Sequence, residues 1–131
     1  MAIPLQSLSG SEVLRRGGIH AQSNTYTSLK FDGAITTAGS GNQAHVVPTN
    51  HIVTVTSIVF CEQGNQAELI YLWMNDGSND INLLAAQSLS AYDTFIWNDN
   101  ISLVGGDKLI VSTGDSANVD IWYSYIDQSW V

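Results

Sequence analysis

The chain is 131 residues long with a net charge of −8, 12% charged residues and 41 Ser, Thr, Asn or Gln, so its polarity comes from neutral hydrogen-bonding groups. A charged fraction about half the usual 25% excludes a charge-rich disordered tail, a coiled coil and a long solvated helix. Four Lys and Arg are too few for the phosphate-neutralising footprint of a nucleic-acid binder.

Residues 1–5 lack the basic start and apolar stretch of a secretory signal. Residues 1–23 show no sustained alternation and read as an extended N-terminal arm. That arm carries the apolar Ile3, Leu5, Leu8, Val13 and Leu14 and the cations Arg15 and Arg16. Residues 11–17 predict one marginal helical turn, capped by Ser11 and stopped by Gly17. Residues 26–31 predict a first strand, and residues 33–43, small and nearly uncharged, a long loop.

From Ala44 onward turn residues return at the spacing of a sandwich or barrel, and no long segment has helical period. Strands are predicted at 52–62, 67–74, 81–85, 94–97, 108–113 and 119–126, with Asn75-Asp76-Gly77 as a tight hairpin turn. In the last strand Val119, Ile121, Tyr123 and Tyr125 share one face, and Asn118, Asp120, Trp122 and Ser124 the other, which predicts one dry and one wet side. The result is an all-β chain: an arm at 1–23 and one antiparallel β-sandwich of about eight strands at 24–131. The longest apolar run, residues 69–74, is far short of the roughly 20 residues of a membrane helix, so no membrane partner is expected.

Little in the sequence supports catalysis. His45 and His51 flank a predicted turn without a Glu or Cys at ligand spacing. Asn75-Asp76-Gly77-Ser78-Asn79-Asp80 has calcium-like oxygen density, but Gln87 stands where an EF-hand needs its bidentate Glu. Asx residues make turns by bonding their own backbone, and that is the expected role here. There is no nucleophile elbow and no phosphate-binding glycine loop. Cys61, the single cysteine, reads as a small strand hydrophobe. Neither an enzyme nor a cofactor or metal site is expected. Trp73, Trp97, Trp122, Trp130 and the five tyrosines are core material, interface anchors or, in a less favoured reading, stacking platforms for a carbohydrate. Residues 1–50 sum to +1 and residues 51–131 to −9, which points to different surroundings for the two parts.

The segment Val47-Pro48-Thr49-Asn50-His51-Ile52-Val53-Thr54-Val55-Thr56-Ser57-Ile58-Val59-Phe60-Cys61 resembles a recurrent type of small tailed-bacteriophage virion protein. Ile70 to Gly77 resembles its second strand and Asp-Gly turn. Leu89-Ser90-Ala91-Tyr92-Asp93-Thr94-Phe95 resembles its turn into the next strand. Leu103-Val104-Gly105-Gly106-Asp107-Lys108-Leu109 and Val119-Asp120-Ile121-Trp122-Tyr123-Ser124-Tyr125 resemble its corner and closing strand. Asn50 and Tyr92 stand where such turns often carry Gly. Asn tolerates positive φ, whereas Tyr92 predicts a different turn geometry with an aromatic at the loop tip.

The resemblance implies a jelly-roll-like sandwich and a head decoration (cement) protein. Such a protein would form a homotrimer that binds the major capsid protein on the outer surface of a phage head assembled in the host cytoplasm. Alternatives are a tail, head-tail connector or fibre component, or a carbohydrate- or receptor-binding module. The expected capsid-binding residues are Leu5, Leu8, Val13, Leu14, Arg15 and Arg16. The expected subunit contacts are Tyr92, Trp122, Trp130 and Val131.

Overall fold

The computed structural model describes residues 10–22, 26–37, 45–114 and 118–130. Its strands are β1 (Gly10–Gln22), β2 (Thr27–Ser28), β3 (Ile35–Thr37), β4 (His51–Glu62), β5 (Glu68–Asn75), β6 (Asp80–Leu89), β7 (Thr94–Trp97), β8 (Ile101–Val104), β9 (Lys108–Thr113) and β10 (Val119–Trp130). Two sheets face each other. One runs β3-β1-β10-β4-β7, with β8 also on β4, and the other runs β2-β9-β5-β6. β7 pairs with Ile58 to Cys61 and β8 with Ile52 to Val55, so the two lie end to end along one edge of β4. Counting them as one interrupted strand and setting the short β3 aside leaves eight strands. Their sheet orders are then first-eighth-third-sixth and second-seventh-fourth-fifth, the double Greek key of a jelly roll.

Side chains of period 2 fill the space between the sheets. Val53, Val55, Ile58, Phe60, Ile70, Leu72, Leu103, Leu109, Val119 and Tyr125 are fully or almost fully buried. Each such burial is worth about 1.5–3 kcal/mol relative to exposure. In β10 Val119, Ile121, Tyr123 and Tyr125 point inward as expected. Two motifs that carry the resemblance touch: Val47 N donates to Asp107 O and Gly106 N to Val47 O. A Cβ on Gly105 would come within 3.1 Å of Pro48 O, so a side chain there would push the corner a few tenths of an ångström away from the Val-Pro segment.

The N-terminal segment departs from expectation. Residues 10–22, expected as an arm, form β1, which pairs antiparallel with β10 from Gly10 opposite Trp130 to Gln22 opposite Val119, with a bulge near its end. The helical turn at 11–17 is likewise a strand. The physical reason lies in Gly17 and Gly18. Gly17 is opposite Tyr123 and Gly18 opposite Trp122, and a Cβ on Gly17 would lie 2.5 Å from the Tyr123 ring. The aromatic rings of β10 cover the glycines of β1, a cross-strand pairing that compensates glycine's missing side chain. Leu5 and Leu8 lie outside the described residues. Residues 35–37, expected within a loop, pair in parallel with β1 as β3.

The 30–33 loop is tied to this sheet. The Tyr123 hydroxyl donates to Lys30 O at 2.5 Å, Gly33 N donates to the Tyr125 hydroxyl at 3.0 Å, and Arg16 Nη1 donates to Gly33 O at 2.6 Å. Phe31 closes over both tyrosines, edge-on to Tyr125 at 5.1 Å and to Tyr123 at 6.1 Å.

Replacing Gly17 by Ala forces the Tyr123 ring out of a packed position and lowers stability by about 2 kcal/mol, measured by urea unfolding; an unchanged midpoint would show that the ring has room to move. Burial raises the Tyr123 pKa, only partly opposed by its bond to Lys30 O, and burial raises that of Tyr125 as well. The unfolded chain releases these protons near the ordinary tyrosine value of about 10 while the folded chain keeps them. Their contribution is therefore complete below that pH and is lost above it. The urea midpoint should fall as pH rises through about 10, with a shallower fall in Tyr123→Phe.

Candidate functional site

The outward residues of the six-stranded sheet form a row that crosses five strands. Registers place Ile35 of β3 beside Gly18 of β1, Gly18 beside Trp122 of β10, Trp122 beside Val59 of β4, and Val59 beside Ile96 of β7. Ile35 is 56%, Trp122 46% and Ile96 57% exposed. Between Ile35 and Trp122, above Gly18, lies a mainly apolar depression of about 240 Å³ whose wall includes Val59 and Cys61. Glycine makes this depression: a Cβ on Gly18 would stand 3.4 Å from the Trp122 ring and 3.8 Å from Ile35.

Charge on this face is sparse and held in place. The Arg16 guanidinium sits 5.5 Å from the Trp122 ring centroid while it donates to Gly33 O. This cation–π contact fixes both side chains at the surface. At the other flank one oxygen of Asp120 takes the ring nitrogen of His20 and the backbone N–H of Ala21, both at 2.9 Å. Ala21 has φ 58° at the β1 bulge, so Asp120 satisfies the N–H that the bulge frees from the ladder. Farther along β1, Val13 is 39% and Leu14 73% exposed, and Arg15 is exposed as well. Among the described residues, the edge of β1 away from β10 has a strand partner only at Gly18 to His20.

The expected subunit-contact residues do not form one surface. Trp122 lies mid-sheet. Tyr92 sits in the β6–β7 loop, tied to Gly64 O beside the end of β4 at Glu62. Half-buried Trp130 donates its backbone N–H to Asn50 O at the opposite end of β4. β4 runs His51–Glu62, which separates the two ends by about 36 Å. Val131 lies outside the described residues. Tyr92 is 70% exposed with φ 57°, much like Asn50 at φ 65°. The turn is therefore left-handed, as with glycine, and corrects the expected different geometry. The sequence does not show the juxtaposition of Arg16 with Trp122, which the β1–β10 register creates; the only signal there is that each flanks a residue of the buried face.

The other candidates have structural roles. Asp76 Oδ1 accepts the backbone N–H groups of Ser78 at 2.9 Å and Asn79 at 2.8 Å, Asn75 Oδ1 accepts that of Gly77, and Asn75 Nδ2 donates to Asp80 at 2.6 Å. The bonds from the backbone N–H groups of Asn79 and then Ser78 lower the Asp76 pKa. They build a four-residue loop between Asn75 and Asp80 in place of the expected tight turn. His51 pairs with Asp127 at 2.8 Å. Partial burial, then the charge of Lys30, lowers the His45 pKa. Trp97 donates to Asp99 O at 2.9 Å and packs against the core. Among the described residues no group of three or more His, Cys, Asp or Glu is placed to hold a metal ion.

No protein-family model and no curated protein matches the chain. Solved structures that align with the chain include a Bacillus endospore-appendage pilus protein, at 8% identity over 100% of this chain and 95% of that one with a TM-score of 0.46. VP2 of infectious bursal disease virus aligns at 10% identity over 95% of this chain with a TM-score of 0.47, and this chain spans only 32% of VP2. The extra small virus protein of the prawn Macrobrachium rosenbergii aligns at 7% identity over 98% of this chain and 84% of that one, with a TM-score of 0.45. The strand order, not these distant likenesses, establishes the jelly roll.

Left-handed backbone costs a residue with a Cβ about 1–2 kcal/mol, and glycine almost nothing. Tyr92→Gly should therefore be more stable than Tyr92→Ala by about 1 kcal/mol in urea unfolding; equal stabilities would mean that the loop tip does not hold this conformation.

Proposed function

We propose that the chain is a virion structural protein: a decoration protein that seats as a homotrimer on the major capsid protein lattice, on the outer surface of a tailed-phage head. The observation that carries this reading is the apolar row of Ile35, Trp122, Val59 and Ile96 on a protein of net charge −8. Copies of like charge associate where acids are few. Asp76, Asp80, Asp93 and Asp99 lie in turns or next to them, and Glu62, Glu68 and Asp107 are buried. The middle of the row carries only Asp120, already engaged by His20 and Ala21. The occupant is a second copy of this chain: around a three-fold axis the row of one copy packs on a different surface of the next, which closes the ring.

The exposed end of β1, with Val13, Leu14, Arg15 and Arg16, then serves as the capsid contact. In the described residues it is the end of a strand paired with β10. The jelly-roll strand order and the strand and turn motifs similar to those of phage virion proteins support the same reading. A trimer that binds the assembled lattice and not free capsid subunits stabilises the shell by mass action, and three linked contacts gain in effective concentration.

Ile96→Ser removes apolar area from an exposed face and should change monomer stability by less than about 0.5 kcal/mol, whereas Trp122→Ser also uncovers Gly18 and frees Arg16 and should cost about 1–2 kcal/mol. Sedimentation should show the parent chain as a trimer and the double variant as a monomer, and binding to purified heads should fall with it. A monomeric parent chain, or a double variant that binds heads equally well, would overturn the proposal. A copy number matching the tail instead of the capsid lattice would move the protein to the tail.

A further inference from the structure

The outer face of the four-stranded sheet is built differently from the apolar row. Registers place Ser112 of β9 opposite Tyr71 of β5, and Ile110 of β9 opposite Trp73, which is in turn opposite Asn82 of β6. Tyr26 immediately precedes β2 on the other side of β9 and is 57% exposed. Its ring meets Trp73 edge-on, with centroids 5.2 Å apart and planes at 86°. Ser112 is the small residue among these rings. It is almost fully buried, and with Tyr26, Tyr71, Trp73, Asp80 and Asn82 it lines an open cavity of about 550 Å³. That volume lies within the usual range for small-molecule sites, about 300–1,000 Å³.

We infer that this cavity is a binding site for a neutral saccharide. Sugars present an apolar C–H face and a rim of hydroxyls, and the cavity offers both complements. Tyr26, Tyr71 and Trp73 supply aromatic surface, with polar handles on the tyrosines. Asp80 and Asn82 supply acceptors and a donor on the β6 side. Asn75 Nδ2 already holds one Asp80 oxygen at 2.6 Å, which orients the carboxylate and leaves its second oxygen for a ligand hydroxyl. The Asp80 charge and the net charge of −8 disfavour nucleotides, phosphosugars and sialylated glycans. The site lies on the sheet opposite the proposed subunit contact, so a protein seated through the six-stranded sheet presents it outward. The inference does not depend on that seating, because binding is measured with the free protein.

The test is titration of the full chain with neutral oligosaccharides (maltoheptaose, cellohexaose, chitohexaose and mannohexaose), with sialyllactose as the anionic comparison, followed by backbone amide NMR shifts. At least one neutral sugar should bind and move the amides of Trp73, Asn82 and Ser112. Tyr26→Ala and Trp73→Ala should each weaken binding about tenfold, and Trp73→Phe should restore part of it. Tyr26 is exposed, so its variant keeps the fold even if Trp73→Ala does not. The inference is overturned if no neutral sugar binds, if binding survives Tyr26→Ala unchanged, or if sialyllactose binds more tightly.

Discussion

Two adjacent glycines lying under two adjacent aromatic rings hold the sheet together. Gly17 and Gly18 of β1 face Tyr123 and Trp122 of β10, and because neighbouring strand residues point to opposite faces, one pair serves the core and the other the surface. With a side chain at Gly17, the Tyr123 ring could not lie across β1, nor its hydroxyl reach Lys30 O. With one at Gly18, the gap between Trp122 and Ile35 would close. The packing of β1 and the shape of the outer depression thus have one cause.

This constraint also explains how charge is arranged around the sheet. β1 brings Arg15 and Arg16 onto a body in which residues 51–131 sum to −9. Arg16 is held between Trp122 and Gly33 O. A contact of this kind is set by geometry, since the guanidinium plane must lie over the ring while its N–H groups stay hydrogen-bonded, and lysine cannot satisfy both. The cation of the N-terminal half and the most exposed indole of the outer face form one feature.

The legible parts of the fold were those whose side chains report their own surroundings. Val119, Ile121, Tyr123 and Tyr125 alternate with polar neighbours, and their burial follows that pattern. Residues 94–97 and 108–113 were bounded by turn residues and form strands with those bounds. β1 was not legible because its covering side chains belong to β10: Gly17 and Gly18 erase the alternation at the position where pairing is tightest. β8 was not among the expected strands: Ile101 and Leu103 are buried and Ser102 and Val104 exposed, but a four-residue alternation between two turns is too short to mark a strand. Of the candidate surface residues, Trp122 was placed on the wet face by alternation. Its distance from Tyr92 and Trp130 depends on the length of β4, which periodicity alone does not convey. The cavity around Ser112 was invisible for a related reason, because it gathers residues of β5, β6 and β9 and the residue before β2 across a register set by long-range pairing.

Trp122 and Tyr123 are one residue apart and perform opposite work. Tyr123 is 1% exposed and fills the space between the sheets, whereas Trp122 is 46% exposed and caps the outer face. The β-strand period makes such a division sharp. A one-residue slip of β10 against β1 would exchange every inward and outward side chain at once, burying Asp120 and Trp122 and exposing Tyr123. The bulge at Ala21, satisfied by Asp120, and the glycine fit at Gly17 oppose that slip from either side of Ile19. The register that buries the tyrosines is therefore the same register that lays Trp122 beside Val59 and Arg16. The outward residues Asp120 and Trp122 of β10, which satisfy the Ala21 N–H and cover Gly18, thus help to fix the register on which the alternating core residues depend.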